Sequence, residues 1–469
     1  MKINRQSIKY LLWAILLCSC TEKEVPEPDS SSDYSEYPEN EWIEKTMRRY
    51  YLWEDEIPKK EKLDPEEEPE SFFYSLLTEK DGKTRNKTHY YYSSINAKSS
   101  STKSYQGEGY SYGFEFQYFQ ILNYADYEYA LLALYVLPGS PAEKEGLKRG
   151  DWIVEINGKP VSGNVQTLLN ALDTTSPEAT ITLGVTDDPR TSVKSSKTLQ
   201  AATVEDNPVF LHKIITYGGK RIAYLVYNHF TSGPTDTTGD ELFNNTLRDA
   251  FRQFKAEQPD EFILDLRYNG GGLVSCAQLM ATMLAPQSAL GDIFCKLTYN
   301  GKENSYQDRT IKLDKKYMEE GAGGANVDLK RLYVIVSSRT ASASEAVING
   351  LRAYIPVILV GEQTEGKNVG SVTFDDYDWE LHPIVSRLSN KNDFSDYEDG
   401  FSPDLLCDEY KEIKTYYDLG DEREYMLRAT LEYITGSGSA SFRSSGQPSL
   451  IPLYNSLDRK KTNGVQLNR

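Results

Sequence analysis

From about Arg221 onward the chain alternates short apolar runs with segments of helical spacing. Ile222–Tyr227, Phe262–Leu266, Leu332–Val336 (LYVIV) and Val357–Val360 are short and almost wholly apolar, the pattern of buried strands. Between them, Leu242–Phe254 sets Phe243, Leu247, Ala250, Phe251 and Phe254 on one helical face. Leu273–Leu284 is the next helix, and Ser344–Tyr354 another, with Ala346, Val347, Gly350 and Leu351 on one side. Strands alternating with helices predict an α/β sheet. Asp421–Ile434 reads as a closing helix with Asp421 as N-cap. Beyond it residues 436–469, Ser/Gly-rich at their start, are expected to form a flexible tail. Upstream, Trp152–Ile156 alternates like a strand and Asn157-Gly158 makes a hairpin turn. Pro141–Gly146 is a short helix stopped by its glycine. Residues 40–100 are expected to be a small helical segment, on the spacing of Trp42, Met47, Tyr50 and Tyr51 and the apolar Ser71–Leu77. Asp64–Glu70 (DPEEEPE) reads as a solvated loop.

The candidate chemistry falls between Ser338 and Gly370. A strand, the hydroxyl-rich turn Ser337–Ser344, a helix, a second strand and the loop Gly361–Gly370 form a unit that returns to the sheet end where it began. Ser342 at the turn and Lys367 in the loop can therefore meet. A serine hydroxyl needs a base to become a nucleophile, and lysine becomes one when burial disfavours its ammonium. Backbone N–H groups at the start of the following helix are suited to an oxyanion. On these residues alone, a turn serine and a solvated lysine stay open as the other reading.

The same stretch resembles the active-site region of the C-terminal processing peptidases, or tail-specific proteases. Thr340-Ala341-Ser342-Ala343-Ser344-Glu345 is similar to their nucleophile segment, and Gly361-Glu362-Gln363-Thr364-Glu365-Gly366-Lys367 to their base segment. The resemblance implies Ser342 as nucleophile and Lys367 as general base. It departs from the family at two places: Ala353 stands where some members carry an assisting Asp, and Ser371 where others carry Gln. Asp265-Leu266-Arg267-Tyr268-Asn269-Gly270-Gly271-Gly272 resembles a second family signature. It implies oxyanion donors at Gly271, with Gly270 as neighbour, and at Ala343, and it leaves Asp265 and Arg267 as an ion pair or loop brace. A phosphate loop is the weaker reading of the three glycines, because no Gly-Lys-Ser/Thr follows. Tyr397–Asp404 (YEDGFSPD) resembles the segment that follows the family's active-site strands.

Leu137–Val161 is close to a PDZ signature. That resemblance implies a groove that takes an extended peptide by strand addition and captures its terminal carboxylate. Tyr112, Gly113 and Phe114 would lie in the carboxylate loop, and Leu168 and Leu172 on the groove helix Gln166–Leu172. Glu115 beside that loop is unfavourable for a carboxylate. A module that only packs against the catalytic domain is the alternative.

Composition narrows the partners. The chain has 70 acidic and 52 basic residues, a net charge of −18, which argues against nucleic acid. Lys2, Arg5 and Lys9, the apolar run Tyr10–Leu17 and then Cys18-Ser19-Cys20 read as a signal peptide over residues 1–20. Leu17-Cys18-Ser19-Cys20 resembles a bacterial lipobox, which implies Cys20 as the lipidated residue, with 21–39 an acidic tether. Cys276, Cys295 and Cys407 form no disulfide framework and are expected to be buried thiols, with a single bridge open. His89, His212, His229 and His382 are scattered, and topology puts only His229 near the presumed site, in a structural role.

The expectation is a PDZ module at 101–200 and a ClpP/crotonase-like catalytic domain at 201–435. The whole would be a Ser–Lys endopeptidase acting on peptides or unstructured protein tails. It needs no cofactor and no metal, and it is lipid-anchored in a Gram-negative cell envelope. A catalytically silent lipoprotein that holds peptides in the PDZ groove is the alternative.

Overall fold

A computed structural model describes residues 34–85, 87–98, 110–122, 127–174, 176–235, 239–302, 305–437, 450–460 and 465–466. Cys20 and residues 1–33 lie outside them, whereas Tyr34–Glu36 forms a 3-10 turn with Tyr34 buried and a helix opens at Pro38, so the expected tether over 21–39 does not extend past residue 33.

The central sheet runs in the order Val209–Tyr217, Lys220–Tyr227, Glu261–Asp265, Leu332–Val336, Val357–Gly361, Leu405–Leu406. The first pair is antiparallel and every later pair is parallel. The apolar runs are continuous because both faces are covered. Helices Leu242–Glu257, Val274–Leu284 and Ala343–Arg352 pack on the face that presents Leu225, Leu264 and Val334. Helix Tyr425–Thr435 covers the other face, where Met426 and Leu427 meet Tyr224, Ile263 and Ile335. That helix begins later than expected. Asp421 bonds Arg423 instead of a helix N-terminus, and the cap is Glu424, which accepts from Leu427 N.

In a parallel sheet all carboxyl ends lie at one edge, and the loops leaving Asp265, Val336 and Gly361 emerge there from adjacent strands. This is what gathers three sequence-distant motifs.

The second sheet runs Ser195–Gln200, Thr180–Thr186, Trp152–Ile156, Tyr129–Val136, Phe114–Ile121, Leu450–Asn455. The last strand corrects the expectation of a flexible tail. Residues 450–455 pair antiparallel with Phe114–Ile121, because that strand offers an unpaired edge which periodicity within the tail does not announce.

The N-terminal segment is helical only at Pro38–Tyr50 and Pro69–Ser75 among its longer elements. Lys83–Arg85 and Thr88–Tyr90 form a hairpin, and Ser94–Ala97 pairs with Trp379–His382 of the catalytic domain. The helical expectation for residues 40–100 fails there because the strand's partner lies far downstream.

Candidate active site

Ser342 sits where Leu332–Val336 turns into helix Ala343–Arg352. Its φ of 59° and ψ of −113° are a conformation that side chains other than glycine rarely adopt. Neighbouring bonds hold it there: Ala341 N donates to Asn269 O at 3.2 Å, Ser344 Oγ to Asn269 O at 3.0 Å, and Thr340 Oγ1 to Leu266 O at 2.9 Å. The glycine loop thus braces the serine turn. Gly271 has φ 109°, and a Cβ there would fall 2.8 Å from Ser342 Cβ and 3.1 Å from Ala343 N. Only glycine allows this approach. Ser342 is 1% exposed, and its Oγ has no hydrogen-bond partner among the described residues.

The lysine loop is joined to the same turn by one carboxylate. Glu345 Oε2 accepts from Ser342 N at 2.9 Å and from Lys367 N at 2.8 Å. Its Oε1 accepts from Thr364 Oγ1 at 2.6 Å and Gly366 N at 2.7 Å. Glu345 is fully buried, and burial drives its carboxyl up to about 7, against the pull of these four donors. Gly366, at φ 93°, packs so closely that a Cβ would lie 2.1 Å from Glu398 O. The segment Tyr397–Asp404 supports the loop from that side, with Phe401 N donating to Thr364 Oγ1 at 2.8 Å.

Lys367 is 7% exposed, and its Nζ lies 4.6 Å from the centroid of the Tyr92 ring, contributed by the N-terminal segment. Ser342 and Lys367 are therefore brought to one place by Glu345, while Ser342 Oγ makes no hydrogen bond to Lys367. The Gly271 N–H donates to Asn269 Oδ1 at 2.9 Å, so in this conformation it is satisfied inside its own loop. The expectation that this N–H is aimed at an oxyanion is corrected to that extent.

Asp265 and Arg267 form the expected ion pair, with Nη2 2.7 Å from Asp265 Oδ2. Arg267 also donates to Glu424 at 2.8 and 3.0 Å. Arg149 of the second sheet's module reaches the same network through Glu409 at 2.9 Å and Tyr268 Oη at 2.5 Å. Burial pushes Glu424 up, but the Arg267 guanidinium outweighs it and holds the carboxyl at about 2.

Tyr112, Phe114, Leu168 and Leu172 share one buried cluster, and Gly113 closes on Ser140 beside it. The helix expected over Gln166–Leu172 spans Val165–Ala171. Cys276, Cys295 and Cys407 are free and buried, with thiols pushed up to about 12 by burial.

Three residues escaped the sequence reading. Glu345 stood in the quoted motif, where Ser-x-x-Glu is a capping-box signal. His382, rather than His229, is the histidine within electrostatic reach of the site: burial and then the Lys367 charge press it down to about 4. His229 instead bonds Thr231 and Asp206 O. No local pattern marks His382 or Tyr92, since both arrive through the pairing of Ser94–Ala97 with Trp379–His382.

Three family models match the chain: the peptidase S41 N-terminal domain over residues 38–112, a PDZ domain over 133–186 and peptidase family S41 over 221–406. The crystal structure of a Bacteroides fragilis NCTC 9343 protein assigned to the S41 proteases superposes with a TM-score of 0.72. It is 32% identical, covering 85% of this chain and 98% of that one. Carboxyl-terminal-processing proteases of Picosynechococcus sp. and Synechocystis sp. are 25% and 24% identical over 64% and 68% of the chain. The chain spans 65% and 68% of their lengths. With the three-loop site and the added PDZ sheet, these matches define a serine peptidase architecture. The chain belongs to peptidase family S41.

Proposed function

We propose that this protein is a serine endopeptidase of the C-terminal processing type, with Ser342 as nucleophile and Lys367 as general base. The observation that carries the reading is the buried, unpartnered Ser342 hydroxyl on a strained turn that Glu345 clamps to the Lys367 loop.

Neutral Lys367 takes the Ser342 proton as Oγ attacks the scissile carbonyl carbon. The developing oxyanion is received by the Ala343 N–H at the helix start, together with N–H groups of the Gly270–Gly271 turn once Gly271 leaves Asn269 Oδ1. The lysine ammonium then protonates the leaving amine. Lys367, neutral again, deprotonates a water that attacks the acyl-serine carbonyl, and the lysine ammonium returns that proton to Ser342 Oγ as the ester C–O bond breaks and the new C-terminus leaves. The PDZ groove of Tyr112, Gly113, Phe114, Leu168 and Leu172 engages the substrate's C-terminal segment, and Cys20 anchors the protein by lipid to a Gram-negative cell envelope.

The test is turnover of a fluorogenic, unstructured peptide by the purified protein and by Ser342→Ala. Turnover lost in the variant supports the reading. Peptide binding without turnover in either protein would leave only the silent binding lipoprotein.

A further inference from the structure

We infer that residues 450–456 are an internal ligand of the PDZ edge, a strap that incoming substrate displaces. The inference rests on the peptidase reading for its effect on activity, and on the geometry alone for the occupancy.

The strand Phe114–Ile121 follows the carboxylate loop and pairs on one side with Tyr129–Val136. Its other side is the edge on which strand addition would place a ligand. Leu450–Asn455 occupies that edge. It runs antiparallel, with Leu450 opposite Ile121 and Asn455 opposite Gln117, so its C-terminal end points toward the loop. An added peptide would take the same direction. Tyr454 packs into the cluster that holds Phe116, Tyr118 and Leu168, with its ring 6.3 Å from that of Phe116.

The loop end is matched to this segment. Ser456 Oγ accepts from Phe116 N at 2.8 Å and donates to Glu115 Oε2. Gln117 Nε2 donates to Tyr454 O at 2.9 Å, and Asn455 Nδ2 to Gln117 Oε1 at 2.9 Å. A buried carboxylate at Glu115 welcomes a hydroxyl and repels a second carboxylate. Glu115, unfavourable for a terminal carboxylate, thus fits an internal serine.

The segment then passes to the catalytic loops. Asp458 lies 3.6 Å from Arg339, in the turn that leads to Ser342. Val465 and Gln466 pair in parallel with Gly370 and Ser371, just after Lys367. One tail therefore touches the groove edge and both loops that carry the dyad. In this occupied conformation Ser342 Oγ is unpartnered and Gly271 N–H is turned inward. The exposed Ile451 and Leu453 make few demands on the fold, which suits a strand that leaves and returns.

The experiment uses the full chain, a fluorescein-labelled peptide copying residues 449–458, and a fluorogenic unstructured substrate. Tyr454→Asp should admit the labelled peptide, which the unaltered protein excludes, and should raise turnover several-fold. A variant that neither binds the peptide nor gains turnover, or whose turnover falls, overturns the proposal. Should neither protein cleave anything, the peptide arm still decides occupancy. A second measurement guards against a variant that fails to fold. In Ser342→Ala, added unstructured substrate should speed amide exchange across residues 450–456 while the strand Phe114–Ile121 stays protected. Unchanged exchange in the tail at saturating substrate overturns displacement.

Discussion

Glu345 Oε2 accepts the backbone N–H of Lys367 at 2.8 Å, across the gap between a helix start and a loop that follows the next strand. The same oxygen holds the Ser342 N–H. The positions of Ser342 and Lys367 are thus set by one buried carboxylate rather than by a bond between their own side chains.

Replacing Glu345 by Gln should disturb this clamp. An amide turns an NH2 donor toward one of two pairs of donors, whichever way it lies. Turnover should drop by about 10–100-fold, with Ser342 and Lys367 still present. The pH dependence has opposite signs for activity and stability. The folded protein holds this proton up to about pH 7, well above the ordinary carboxyl range near 4.3. Its contribution to stability is therefore fully present below about pH 4 and lost as pH rises through about 7. Activity needs the carboxylate as acceptor and should fall as pH drops through the same range. Thermal melts and turnover across pH check both, and both trends should flatten in Glu345→Gln.

Ser342→Ala should reduce turnover by a factor on the order of 10⁴ or more with an unchanged circular dichroism spectrum. Undiminished turnover would remove Ser342 from the mechanism.

Lys367→Arg should be almost inactive, since a guanidinium does not give up its proton near neutral pH. Lys367→His should recover a little activity as a neutral imidazole. A Lys367→Arg enzyme that keeps most of its turnover number would show that only positive charge is needed at this position.

Glu424→Gln should destabilise the fold by about 3–5 kcal/mol, because Arg267 would be left buried with only part of its compensating charge. Glu424 is held at about 2 in the folded state. Its contribution is present above about pH 4 and is lost as pH falls toward 2. Acid unfolding followed by tryptophan fluorescence should therefore be shallower in the variant.

Cys20→Ala should abolish partitioning into the membrane fraction while leaving the peptidase activity of the purified protein intact. Unchanged partitioning and precursor processing would remove the lipid anchor.

The sequence alone carried the four parallel strands Ile222–Tyr227, Phe262–Leu266, Leu332–Val336 and Val357–Val360 and the helices between them, since those elements are set by local periodicity and by burial on both faces. It did not carry the strands Ile293–Tyr299 and Arg309–Lys312, which pair outside this sheet. The family segments around Ser342 and Lys367 and the PDZ signature were legible too, because each is a contiguous run whose residue types serve one local geometry. Glu345 stood inside a quoted motif, yet its role as the clamp between two loops was not read from it. The rest depended on partners distant in the chain. The tail strand Leu450–Asn455 exists because Phe114–Ile121 leaves an edge open, and its apolar run Leu450–Tyr454 does not say which edge it joins. Tyr92 and His382 reach Lys367 only through a pairing between Ser94–Ala97 and Trp379–His382. The turn of Gly271 N–H onto Asn269 Oδ1, and the strained φ of Ser342, follow from the packing of two loops against each other. Periodicity records how a segment meets a core, whereas strand-edge pairing and loop-on-loop contacts are relations between segments and are decided only when the chain has folded.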